Sequence, residues 1–124
     1  MEEWKKHILA GNKEFSSKNY AIAEQEYKVA KDYAEQSFIQ WHDPYESSSA
    51  LVVTYHNLAD LHQRQGNTEL ARETLEDAHD ILLRAVTSTP VDSGRHDALC
   101  QASLETYSAL LLHKKSYGSF DQVH

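Results

Sequence analysis

Cysteine, proline and glycine are nearly missing from this sequence: its 124 residues hold one, two and four of them. A single cysteine, Cys100, forbids an internal disulfide and fits a reducing cytoplasm. So few prolines and glycines leave little material for turns, so the elements should be long. No apolar run approaches the roughly 18 residues of a membrane-crossing helix, and no membrane partner is expected. The opening Met1-Glu2-Glu3-Trp4-Lys5-Lys6 lacks the basic start and apolar stretch of a secretory leader, so none is expected. Positive charge is short as well. Twelve Lys and Arg against 19 Asp and Glu give a net charge of −7, which repels a polyanion and argues against nucleic-acid binding.

What is present favours helix. Val and Ile are few, while Ala, Leu, Glu, Gln and Lys are common. Charged residues at 25% and apolar residues at 40% are ordinary for a soluble chain of one domain with a modest core. Apolar and small residues recur every three or four positions in five stretches. These run Trp4-Ile8-Gly11-Phe15, then Tyr20-Ala23-Tyr27-Ala30-Ala34-Phe38-Trp41, then Leu51-Tyr55-Leu58-His62. The last two are Ala71-Leu75-Ala78-Leu82-Ala85 and Cys100-Leu104-Tyr107-Leu111. Each puts one stripe on one helix face, and none alternates with period two, so the expectation is an all-α fold of about five long helices with no sheet.

Punctuation places the ends. Asn19 is positioned to cap the second helix, and Asp43-Pro44-Tyr45-Glu46 supplies a cap, a first-turn proline and a carboxylate for the third. Gly66-Asn67 should end that helix and cap the next, and residues 87–94 read as a loop. Ser47-Ser48-Ser49 reads as the exposed side of the third helix.

The helix pairs repeat. Gly11, Ala23, Tyr27 and Ala30 are spaced 12, 4 and 3 residues apart, as are Ala59, Ala71, Leu75 and Ala78, at an offset of 48. Lys18-Asn19 aligns with Gly66-Asn67. A partial third copy puts Ser108 at the small position, and Lys115-Ser116-Tyr117 echoes Lys18-Asn19-Tyr20. Small residues at these points let two helix backbones approach, and the aromatic or leucine between them fills the groove.

This pattern resembles the tetratricopeptide repeat family: a small residue midway along one helix, a turn, then alanine, aromatic and alanine on the next. The likeness covers residues 4–86 well and 98–120 weakly. It implies antiparallel helix pairs stacked as a short superhelix in one domain, 1–124, with repeats at about 4–41 and 44–87 and a partial third at about 95–124. The family period is about 34, so a period of 48 means longer helices. The family's helix-ending proline is absent after the first repeat.

The resemblance also implies a function. Family members dock a peptide or helix in a concave groove lined by the first helix of each pair. Carried over, the partner-binding positions are Lys5, Asn12, Phe15, His56, Asn57, Asp60, Arg64, Thr106 and His113. Some members grip a chaperone's C-terminal carboxylate with two asparagines and three cations. Here the asparagines, Asn12 and Asn57, are kept, but the cationic positions hold Ile8, Ala102 and Thr106. A carboxylate needs charge-assisted donors to offset its desolvation, so no chaperone tail is expected.

Catalysis and cofactors are not expected. No two of the eight histidines are spaced i, i+3 or i, i+4, and no zinc template is matched. His56 and Asp60 lie one turn apart, which makes at most a weak metal site, and His62 falls on an apolar stripe as a packing residue. Cys100 reads as a core cysteine. Trp4, Tyr33 and Trp41 could stack on a ligand, but the stripes assign them to packing. Leu110-Leu111-Leu112 surrounds the fifth helix with leucine, and only residues 118–124 stand where its partner helix belongs. A second copy (a homodimer), a partner helix or the folded-back tail would cover it. The readings are a protein-interaction adaptor, a structural helical oligomer without a peptide ligand, and a small hydrolase or metal-binding bundle.

Overall fold

The computed structural model describes residues 1–118. Its elements are α1 (Glu2–Ser16), α2 (Tyr20–Gln40), α3 (Pro44–Arg64), α4 (Thr68–Thr87) and α5 (Gly94–His113), followed by a π-helical turn, Lys114–Gly118. The fold is all-α, and no strand occurs among the described residues. Each helix packs on the next, and α3 also touches both α1 and α5. Short loops make neighbours antiparallel. The result is a layer of α1, α3 and α5 against a layer of α2 and α4.

Two turns 48 residues apart are the same bond for bond. Asn19 N–H donates to Glu14 O at 2.8 Å, and Asn67 N–H to His62 O at 2.8 Å. One residue earlier, Lys18 and Gly66 both take left-handed backbone, with φ of 65° and 81°. The long-range bond and the left-handed residue together form a Schellman-type helix stop. The following caps differ. Asn67 accepts from Leu70 N–H, whereas Asn19 makes no side-chain cap and its Nδ2 donates to Glu14 instead. Asp43 accepts from Tyr45 and Glu46 N–H to start α3, and Ser93 accepts from His96 N–H to start α5.

The core follows the stripes of the first four helices. Ile8, Tyr27, Leu58 and Leu61 join α1, α2 and α3, while Phe38, Leu51, Tyr55, Leu82 and Leu99 join α2 through α5. A fully buried leucine contributes roughly 1.5–3 kcal/mol, and Leu51, Leu61, Leu82 and Leu99 are all fully enclosed. Gly11 is buried against the Tyr27 ring, and Ala59 packs with Ala71 and Leu75. His62 is buried as well.

Three expectations are corrected. Ser47 and Ser48 are buried rather than exposed, and only Ser49 of the trio faces out. Cys100 is half-buried, not core. The fifth helix is turned by about half a revolution from its expected stripe. Ala98, Leu99, Ala102, Ser103 and Thr106 are its buried residues, while Leu104 is 66% exposed, and Tyr107, Ser108 and Leu111 are exposed too. Small and polar residues make the contact because α5 packs closely on α3 and α4, and a periodicity search that follows large apolar residues selects the opposite face. The tail proposed to cover this helix, residues 119–124, lies outside the described residues.

Candidate functional site

The layer of α1, α3 and α5 carries two neighbouring hollows, and α3 divides them. The first, about 200 Å³, lies between α1 and α3 and is lined by Asn12, Phe15, Ser16, Tyr27, Asn57 and Asp60. The second, about 280 Å³, lies between α3 and α5, where His56, Asp60, Gln63, Leu75, Leu112 and His113 are among its walls. Asp60 belongs to both.

Helix periodicity produces this arrangement. His56, Asp60 and Arg64 are spaced four apart on α3 and share a face, with Asn57 and Gln63 on its flanks. Asn12 Oδ1 is doubly engaged: it accepts from Tyr27 Oη–H at 2.6 Å and from Asn57 Nδ2–H at 3.1 Å. That sets the orientation of both amides and leaves Asn12 Nδ2 and Asn57 Oδ1 without protein partners among the described residues. Burial, and secondarily Asp60, pushes the Tyr27 phenol up to about 12, so it remains a donor.

Asp60 makes no hydrogen bond among the described residues. Partial burial raises its carboxyl, against the opposing pull of His56 and Arg64. Burial lowers the His56 imidazole, and its Nε2 is enclosed without a hydrogen-bond partner. The Asp60 carboxylate beside this neutral imidazole is short of partners, and a ligand carrying N–H donors would satisfy it.

The carried-over residues divide. Asn12, Phe15, Asn57 and Asp60 meet around the first hollow, and His56, Asp60 and His113 around the second. His113 Nε2 lies 3.3 Å from Gln63 Oε1. Arg64 sits over the Phe15 ring, 5.8 Å from its centroid, which ties the far end of α3 to α1. Lys5 is exposed and lines neither hollow. Thr106 is a correction. It is fully buried, bonded to His79 Nδ1 at 2.8 Å, and donates to Ser103 O, so it cannot touch a ligand. Ile8 and Ala102, the other positions matched to clamp cations, are buried too.

A family profile matches residues 2–124. The chain belongs to that family, described as Protein of unknown function (DUF2753). No curated protein and no solved structure matches it.

Two features of this DUF2753 chain escaped the sequence reading. Cys100 Sγ lies 3.6 Å from His96 Nδ1, one helical turn away. The i, i+4 spacing of His96 and Cys100 is visible in the sequence, but two residues match no zinc template. Among the described residues no group of three or more His, Cys, Asp or Glu side chains could hold a metal ion. The second is a hollow of about 460 Å³ between the start of α1 and the end of α2, and it gathers Trp4, Tyr33 and Trp41. Their spacing along the chain shows helix faces, not that two helices bring the three rings to one opening.

Proposed function

We propose that the chain is a protein-interaction module of tetratricopeptide type that takes an extended peptide or a helix across α1, α3 and α5. The observation that carries it is the position of Asp60, unpaired and shared by the two hollows. A ligand lying over α3 meets, in order, the oriented amides of Asn12 and Asn57, the Asp60 carboxylate, and His56 with His113. Amide side chains recognise a backbone through one donor and one acceptor, and Asp60 supplies charge for a basic residue or an N–H. The aliphatic wall of Leu75 and Leu112 accommodates an apolar side chain of the ligand.

The test is selection from a random peptide library, followed by calorimetry on the enriched sequences. Asp60→Ala and Asn57→Ala should each weaken binding by roughly tenfold, the scale of one charge-assisted or well-placed hydrogen bond. Enriched peptides indifferent to both changes would remove the groove from consideration.

A second reading, a helical oligomer, is favoured by the outer face of α5. Asp97, Gln101, Leu104, Ser108 and Leu111 are all exposed on α5 and alternate four and three residues apart, the spacing of a helix-pairing seam, and exposed Lys115 follows four residues on in the π-helical turn. The seam is self-complementary when two copies run antiparallel: Leu104 falls opposite Ser108 of the second copy, and Asp97 opposite its Lys115. Leu110, one of the three leucines of interest, packs inward against Ala59, Ala71 and Leu75, so Leu104, Leu111 and the 65%-exposed Leu112 carry this face instead.

A further inference from the structure

We propose that the hollow between α1 and the end of α2 binds an organic cation, a methylated ammonium or a guanidinium with a carboxylate or carbonyl nearby, among Trp4, Tyr33 and Trp41. It shares no wall with the two hollows described above, so it stands apart from the peptide reading. At about 460 Å³ it is of the size that holds small ligands.

Its walls carry more negative than positive charge, two carboxylates against the Met1 α-ammonium. Glu2, Glu3, Gln36, Ser37 and Gln40 complete it with Met1, and no lysine, arginine or histidine side chain lines it. Aromatic faces are electron-rich, so three rings and two carboxylates attract a cation and repel an anion.

Two of the rings are held in place from behind. Trp4 Nε1–H donates to Thr54 Oγ1 at 2.7 Å, and Thr54 in turn donates to Ala50 O within α3. Tyr33 stacks on His7 with centroids 5.8 Å apart and planes 10° from parallel, and His7 Nδ1 is 2.7 Å from Glu26 Oε2. Rings fixed before binding lose little freedom when a ligand arrives.

Trp41 supplies the second requirement. Its Nε1 is buried with no hydrogen-bond partner. An indole N–H can only donate, and a buried donor is costly to leave unmade. On binding, the indole turns to bring this donor to the ligand's own carboxylate or carbonyl, a few bonds from the cation.

Trp4 and Trp41 are the only tryptophans in the chain, so emission excited beyond the tyrosine absorption band reads these two rings. The full-length protein is titrated with glycine betaine and with arginine. In parallel it is titrated with 3,3-dimethylbutanoate, the carbon isostere of betaine, which keeps shape and carboxylate but lacks the positive charge. The expected result is a saturable fluorescence change with a cationic probe and binding at least about fivefold weaker for the isostere, the scale of a cation–π contact. Tyr33→Leu should weaken the cation by a similar factor. Trp41→Phe, which keeps a ring but removes the donor, should weaken betaine while sparing tetramethylammonium. Circular dichroism confirms that each variant is folded. No saturable change with either cation, equal binding of the isostere, or folded Tyr33→Leu and Trp41→Phe proteins that bind as before would each overturn the assignment.

Discussion

Gly11 lies so close to the Tyr27 ring that a methyl group on its Cα would overlap the ring carbons Cδ1 and Cε1. The Tyr27 hydroxyl reaches on to Asn12, so the contact that brings α1 against α2 also orients the first groove amide.

Gly11→Ala should therefore destabilise. Alanine favours helix over glycine by about 1 kcal/mol, but overpacking a closed site costs roughly 1–3 kcal/mol. The overlap is with ring atoms of a side chain buried at 2% exposure, which has little room to yield. Urea unfolding should show a lower midpoint. A midpoint above wild type would mean that Tyr27 rotates away freely.

Lys18→Gly should stabilise. Lys18 is the one described non-glycine residue with positive φ, in the position that Gly66 occupies 48 residues later. Relieving a left-handed side-chain conformation is worth about 1 kcal/mol, less the entropy that glycine adds to the unfolded chain. Thermal melts should rise by a few degrees.

Ser48→Ala should be neutral or stabilising. The Ser48 hydroxyl is buried without a partner. Removing a polar group that makes no bond deletes about 1 kcal/mol or more of desolvation cost. A clear loss of stability in denaturant would show that the hydroxyl has a partner after all.

Stability should fall on acidification through pH 6.5. Burial lowers the His56 and His62 imidazoles below 6.5, outweighing the opposing carboxylates Asp60 and Glu105 around His56. Around His62, Glu24 and a bond that the imidazolium donates to the Gln65 side chain oppose the shift and Lys28 adds to it. Between the lowered folded values and 6.5 the unfolded chain binds more protons, so stability is complete above that window and lost as pH drops through it. His62→Gln should flatten the dependence of melting temperature on pH there. Asp60 acts in the other sense: its carboxyl is raised above 3.8, so ionising it costs stability as pH rises from that value. Asp60→Asn should melt higher than wild type at neutral pH.

Leu104→Glu should abolish any self-association without unfolding the chain, since Leu104 is 66% exposed. Sedimentation velocity across a concentration series reads the outcome. Asp97→Lys should weaken a dimer, and Asp97→Lys with Lys115→Asp should restore it. A monomer at every concentration, or a dimer blind to these changes, would exclude the α5 seam.

Fold class was legible in the residues. Spacing of three and four, with caps at Asp43 and Asn67, marked α3 and α4 to within a residue, because those signals are local and each helix carries its own. Asn12, Asn57 and Asp60, positions that the tetratricopeptide resemblance carries over, line one hollow.

The rest was decided between helices. Which face of α5 turns inward depends on how closely α3 and α4 approach it, and Thr106 with Ala102 wins over Leu104 because small side chains permit that approach. The hollow that collects Trp4, Tyr33 and Trp41 exists only once α1 and α2 are side by side. Periodicity specifies a stripe on one helix. The direction it faces, and what it meets there, are set by contacts between residues far apart in the chain.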